Sequence, residues 1–429
     1  MSLLRRACAD TKGSVAIIVA IAMIALLGVT AIVVDISYIY NVRRQLQNAT
    51  DQSALAGAQN IYQGSAVSTA NSYSATSGNK NVSPGVTVTM VSGYPLLKCL
   101  SSTGLPCAGT PPANAITVMQ TATVPLFFAR IFGKNTADIT VQATASAAGN
   151  QPKPYNIILI IDTTGSMDTN DGNCNGTTQT RITCAKLGGQ QLLKGMYPSM
   201  DQVGLMTFPG VSSATKTKHY NCSTDEASSV AYNASPTYSI VALSNDYKAS
   251  DASTTLVTGS NLVRAFGGGG SGCAQGMGTP GGQGTYFADV ISAAQTQLLA
   301  NATTGTQAII ILLSDGDAGA TSSKVGSAKY DDQCQQAVNA AAAAKNDATT
   351  KTWIYAVAYS APTSGGCNRD SPYISPCNTM KAIASSDDKF FASGGSCTSP
   401  VNNMSDLVSI FARIQSSLTS PRLVPDNTT

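Results

Sequence analysis

Residues 155–166 read YNIILIIDTTGS, an apolar run that ends in Asp-x-Thr-x-Ser. Side chains alternate along a strand, so Asp162, Thr164 and Ser166 can converge on one point at its carboxyl end. Oxygen donors of these types suit a hard divalent cation. Mg²⁺ takes near-octahedral oxygen coordination at about 2.0–2.1 Å, keeps several waters and uses few direct carboxylates. Neutral hydroxyls would leave such an ion electrophilic. A second apolar run, 308–313, ends in Ser314-Asp315-Gly316-Asp317, as a neighbouring parallel strand would, and Asp315 then faces Asp162 across a crevice. In open α/β sheets ligands bind outside the carboxyl ends of the strands, where the strand order reverses. Between the two runs, Gly284-Thr285-Tyr286-Phe287 opens a helical pattern (Phe287, Val290, Ile291, Ala294, Leu298), and Thr285 can add a third hydroxyl from a helix start.

The elements that must position these residues alternate. Strands are expected at 155–162, 203–208, 308–314, 352–359 and near Phe390-Phe391; helices at about 181–196, 285–300, 331–346, 377–386 and 401–418. Fully apolar strands alternating with helices predict a doubly wound, mainly parallel α/β sheet covered on both faces. This domain spans 155–420, with insertions at 168–180 and 209–284. The first crowds Asx and Gly residues beside the site, and Gly172 falls on a ligand position of a calcium loop, so it reads as a polar rim tethered by Cys174. The second holds a long polar stretch and GGGGSGCAQGMGTPGGQG, which lacks the Lys-Ser/Thr ending of a phosphate loop and reads as a flexible loop or lid. His219, the single histidine, falls there and is expected to be solvated.

Taken together, 162–166, Thr285 and Asp315 resemble the metal-ion-dependent adhesion site of von Willebrand factor type A domains, a Rossmann-like fold. The resemblance implies direct coordination by Thr164 and Ser166, coordination by Thr285 directly or through water, and action through water by Asp162 and Asp315. An acidic group of a partner completes the shell. Where that family has Ser as its first hydroxyl, this chain has Thr164, which keeps the oxygen and adds a methyl. Mg²⁺ is the expected ion, with Mn²⁺ or Ca²⁺ left open.

Further towards the N-terminus, residues 13–34 form an uncharged apolar run of about 22 residues, enough at ~1.5 Å per residue to cross a ~30 Å hydrocarbon core. Residues 1–12 carry Arg5, Arg6 and Lys12, which favours a cytoplasmic N-terminus. Beyond the span, Ile39, Val42, Leu46, Ala49 and Ala56 continue in three- and four-residue steps, so 35–62 extends the same helix outside the membrane. Residues 63–150 then change to β-branched runs, VTVTMV (86–91), 115–132 and 137–147, a small β-rich module. A Gln-Pro-Lys-Pro linker follows at 151–154, and 421–429 is a tail.

The stretch from Arg5 to about Ala58 resembles the N-terminus of TadE/TadG-like proteins of the tight-adherence (Flp-type) pilus system. That implies a pilin-like spine, an α+β module packed on it, and a place in the bacterial inner membrane as a single-pass protein whose large domain is periplasmic or pilus-associated. Gly13 resembles the processing glycine of pilins, but Ile18 stands where the major pilins carry glutamate, and whether the chain is cleaved there stays open.

Composition narrows the functions. With 11% charged residues and a net charge of +3, nucleic acid is not an expected partner. Ten of the eleven cysteines follow the apolar run and Cys8 precedes it, which fits five disulfides in an oxidising compartment. Sequence alone does not fix their pairing. Neighbour pairing gives Cys99–Cys107, Cys174–Cys184 and Cys367–Cys377, leaving Cys222–Cys273 and Cys334–Cys397. No general base stands at a matching spacing and there is no arginine cluster, so the expectation is not an enzyme. The expected function is a membrane-tethered pilus-assembly or adhesion protein that binds a partner's acidic residue through a cation and other pilus or platform subunits through its helix. The alternatives are a structural minor-pilin-like or platform component whose metal only stabilises the fold, and a metal-dependent phosphohydrolase.

Overall fold

The computed structural model describes residues 11–61, 64–78, 82–101, 107, 111–147, 154–251, 253–400, 402, 404, 406–419 and 421–424. Arg5, Arg6, Cys8 and most of the 151–154 linker lie outside these. The chain divides into two compact units, residues 1–150 with 421–429, and residues 151–420.

The first unit is built on one helix, α1 (Thr11–Gln59), so the expected span and its extension are a single rod. It is long and apolar enough to cross a membrane, and its upper half is bare, with Ile24 and Leu27 about two-thirds exposed. Lower down, Val42, Leu46 and Ala49 follow four- and three-residue steps and are buried against Val124, Ile139 and Val141. The helix α2 (Ala66–Tyr73) packs on α1 at Gly57, where a Cβ would come within 2.9 Å of the Ala70 Cβ. Four antiparallel strands cover the rod: β1 (Thr87–Met90), β2 (Leu96–Lys98), β3 (Ala115–Pro125) and β4 (Thr136–Ser146). The run expected as a strand to residue 132 stops at Pro125, which has no N–H for a ladder, and Ala129–Phe132 forms a 3₁₀ turn closed by Gly133 at φ 82°.

The second unit begins with β5 (Tyr155–Asp162), followed by a two-stranded ribbon, β6 (Asn170–Cys174) and β7 (Thr177–Thr180). The polar rim expected at 168–180 is thus a hairpin. Asn175 (φ 51°) and Gly176 (φ 78°) make its turn, the left-handed pair that suits a twisted hairpin. Then come α3 (Arg181–Gly195), β8 (Gln202–Val211), β9 (Thr237–Ser244), the short α4 (Asn261–Ala265), α5 (Ala288–Ala300), β10 (Gln307–Ser314), the single-turn α6 (Ser322–Val325), α7 (Gln333–Asn346), β11 (Trp353–Tyr359), α8 (Pro376–Ile383), β12 (Phe390–Ser393) and α9 (Leu407–Thr419).

The main sheet runs β12-β11-β10-β5-β8-β9, parallel except for β9 at its edge. β5 from Ile157 to Ile161 and β10 from Ala308 to Leu313 are unbroken apolar runs because both of their faces are covered. Ile157, Leu159 and Ile161 point to one side, into a core with Leu192, Leu193 and Phe411 of α3 and α9. Ile158 and Ile160 point to the other, onto Val290, Ile291 and Ala337 of α5 and α7. α3 lies close because Gly188 carries no Cβ, which would sit 2.4 Å from the Phe411 ring.

One expectation changes for the insertion at 209–284. It contains the edge strand β9 and the short helix α4, and Cys222–Cys273 bridges it. Cys99–Cys107 and Cys174–Cys184 also pair as neighbour spacing suggests, but Cys334 pairs with Cys367 and Cys377 with Cys397. Cys377 sits in the first turn of α8, with its Cα 5.4 Å from that of Cys397 beyond β12, while Cys334 and Cys367 meet over the Gly316 carbonyl with Cα atoms 5.9 Å apart.

The chain then returns to the first unit. Arg422–Val424, expected as tail, forms β13 and pairs antiparallel with the end of β4, Arg422 opposite Ser146. The second unit is an insertion between two neighbouring strands of the first unit's sheet.

Candidate functional site

β5 and β10 are neighbours, with Ile161 opposite Leu313, and the chain proceeds from β5 to β8 on one side and from β10 to β11 on the other. The crevice where strand order reverses lies between their carboxyl ends. Asp162, fully buried, ends β5, and Ser314-Asp315 ends β10. Asp162 Oδ1 accepts from the Thr164 N–H (2.9 Å) and hydroxyl (2.7 Å), and Oδ2 accepts from the Ser314 hydroxyl (3.1 Å). The Thr164 and Ser166 hydroxyls are 3.0 Å apart, and Ser166 lies close enough to Asp315 to favour its charged form.

Four of the five sequence-derived residues therefore meet: Asp162, Thr164, Ser166 and Asp315. Thr285 lies just before α5, its carbonyl accepting from Gly319 (3.0 Å) in the loop after β10. Among the described residues no hydrogen bond joins its hydroxyl to the other four. Ser314 was not singled out as a site residue, since one serine at a strand end carries no signal until its neighbour is known. Tyr232 was also missed: it is buried, its hydroxyl donates to the Gly284 carbonyl (2.7 Å), and it feels the charge of Asp162.

The electrostatics are unfavourable to two bare carboxylates. Burial, then the neighbouring Asp315, pushes Asp162 up to about 7, although the Thr164 and Ser314 hydrogen bonds pull the other way. Burial likewise raises Asp315, and Asp317 adds to the effect against the Asp317 N–H, Arg181 and Ser166. The flanking segment is fixed: Thr163 donates to the Phe208 carbonyl (2.8 Å) and accepts from Gly281 (3.3 Å), while Thr279 donates to Asp168. Asp168 and Thr279 also border a cavity of about 410 Å³ lined by Lys186, Lys218, His219 and Glu226. His219 is not solvated: it is 1% exposed, and burial lowers its pKa to about 4.

The chain thus combines an α/β unit that carries an oxygen-lined crevice with a unit built on a long apolar helix. Residues 13–60 match the Flp pilus-assembly TadE/G-like family, and residues 44–145 match the Tad-like Flp pilus-assembly family. These matches support a pilus-associated protein, and the apolar helix is consistent with a membrane anchor. No curated protein matches the chain. Among solved structures it is similar to the pilus adhesin SpaC from Lactobacillus rhamnosus GG, at 14% identity and a TM-score of 0.41, over 80% of this chain and 36% of that one. The chain thus spans about a third of that adhesin. It is also similar to the pilus adhesin RrgA from Streptococcus pneumoniae (10% identity, TM-score 0.37, 79% of this chain and 49% of that one) and to the SpRpn10 VWA domain (15%, 0.30, 62% and 97%).

Proposed function

We propose that this chain is a membrane-anchored, non-enzymatic pilus-assembly or adhesion protein whose second unit is a von Willebrand type A-like domain that docks an acidic side chain of a partner through a divalent cation. The observation that carries the reading is the pair of carboxylates, fully buried Asp162 and half-buried Asp315, both raised and set among the hydroxyls of Thr164, Ser166 and Ser314 at the reversal of strand order. A cation would relieve their repulsion, and hydroxyls can turn lone pairs towards it. Asp162, Thr164, Ser166 and Asp315 would hold it, with Thr285 at the rim. The bound ion, Mg²⁺ before Mn²⁺ or Ca²⁺, would attract a carboxylate. The protein's own contribution is to hold the oxygens in place and to keep the base of the site dry. Capture of a pilus partner by the full-length protein should then be lost in chelator and in Ser166→Ala, with the far-ultraviolet spectrum unchanged; capture that persists in chelator sinks the mechanism.

A second reading has the metal only stabilising the fold, and it is favoured by the confinement of the family matches to 13–145. Since β13 belongs to the first unit, the informative deletion removes 151–420 and keeps 421–429. Under this second reading the shortened chain still co-assembles.

A further inference from the structure

Between β3 and β4 the chain reads LFFARIFGKN (126–135); Leu126 is buried, but the apolar side chains after it are not tucked in, with Phe132 80% exposed and Ile131 77%. The turn is nevertheless held firmly. Asp35, one residue past the apolar run of α1, accepts from the N–H groups of Phe127 (2.8 Å), Phe128 (3.0 Å) and Ala129 (2.7 Å). Tyr38 meets the Phe127 ring edge-on at 5.2 Å between centroids. Anchored there, Phe128, Ile131 and Phe132 line an apolar groove of about 440 Å³ with Leu27, Ala31 and Val34 of α1. From Leu27 to Asp35 is about 12 Å of helix at ~1.5 Å per residue, within one half of a ~30 Å hydrocarbon core.

We propose that the β3–β4 tip is a second membrane-inserted element, with Phe128, Ile131 and Phe132 entering the same leaflet as residues 27–34 of α1. This rests on α1 spanning the bilayer. Continuity with that apolar surface selects the occupant: a groove walled on one side by a bilayer-spanning stretch opens onto acyl chains, which cost exposed aromatics nothing. Charge agrees with the depth. Arg130 bonds back to the Leu126 carbonyl (2.9 Å) and stands near Asp35, at headgroup level, and the exposed Lys134 follows the turn. The element would fix the tilt of the rod and the height of the first unit above the membrane.

The chain has one tryptophan, Trp353, in the second unit, so a single-probe experiment is available. Full-length protein carrying Trp353→Phe and Phe132→Trp is placed in phosphatidylcholine vesicles with and without bromine on the acyl chains. A companion carries Trp353→Phe and Ile24→Trp, to report the span alone. The expected result is a blue-shifted emission that brominated lipid quenches at both positions. Quenching at 24 but not at 132 overturns tip insertion and leaves the span standing; quenching at neither overturns the span as well. A blue shift at 132 without lipid quenching puts the indole against a second copy of the chain or another protein, and also overturns the proposal.

Discussion

Asp35 and Asp162 are both buried at the ends of long apolar elements, and the protein handles their charges in opposite ways. Burial pushes Asp35 up, but the N–H groups of Ala129, Phe127 and Phe128, with Arg130, outweigh it and hold the carboxyl below its ordinary value. For Asp162 burial and a second carboxylate win, and the group is raised to about 7. The donors explain what each site is for. A backbone N–H has no lone pair to give, so Asp35 is finished as it stands and works as a staple. The hydroxyls around Asp162 are donors now and can become acceptors, so that cluster is open to a cation. Burial alone does not mark a functional acid; the chemistry of its partners does.

The largest effect that tests this contrast is at Asp162. Its folded pKa lies above its unfolded value, so the folded state holds the extra proton and metal-free stability falls as pH rises from about 4 to about 7. Asp162→Asn in chelator should therefore be more stable than the natural protein at pH 8, and no more stable near pH 4. Urea unfolding reads the difference directly. His219 acts in the other direction, costing stability as pH falls from 6.5 towards about 4, but it is common to both proteins and cancels. Mg²⁺ at about 100 times its Kd should add about 2.7 kcal/mol to the natural protein and nothing to the variant. A variant less stable at pH 8 without metal would remove the contrast.

Asp35→Asn should give a smaller and local effect. Amide exchange at Phe127, Phe128 and Ala129 should quicken, while the Mg²⁺ response of the second unit stays as it was. The pH sign is opposite to that of Asp162: with its folded pKa depressed, Asp35 stabilises above the ordinary carboxylate value and loses that effect as pH falls through the folded one. Unchanged exchange would mean that the staple is decorative. The smallest effect is expected for Thr164→Ser, which keeps the oxygen and gives up one methyl, about 1 kcal/mol or less in unfolding free energy, with the cation response retained. A lost response would show that the methyl positions the hydroxyl.

Much of this was legible because long buried strands advertise themselves. β5 and β10 carry unbroken apolar runs, and their polar endings point to Asp162, Thr164, Ser166 and Asp315 before any topology is known. What stayed hidden lacked such a run. β9, TYSIVALS, is an edge strand that β8 covers from one side, and its mixed composition disappears into a polar stretch. His219 is buried although the residues around it in the sequence are polar, so local polarity points the wrong way. The Cys334–Cys367 and Cys377–Cys397 pairs follow the packing of α7, α8 and β12, whereas spacing favours Cys367 with Cys377. β13 is three residues long and its partner strand lies 276 positions earlier, far outside any window of sequence pattern.

That separation has a consequence for the order of folding. Joining Arg422 to Ser146 in an unfolded chain would close a loop whose length-dependent entropy cost is about 5 kcal/mol, far more than a three-residue strand returns. Folding of the second unit removes most of that cost, because it ties its own two ends together: the Tyr155 hydroxyl donates to the Leu418 carbonyl at 3.3 Å. The inserted unit must therefore fold first, and the host sheet gains its last strand only afterwards, so the first unit reports on the completion of the second.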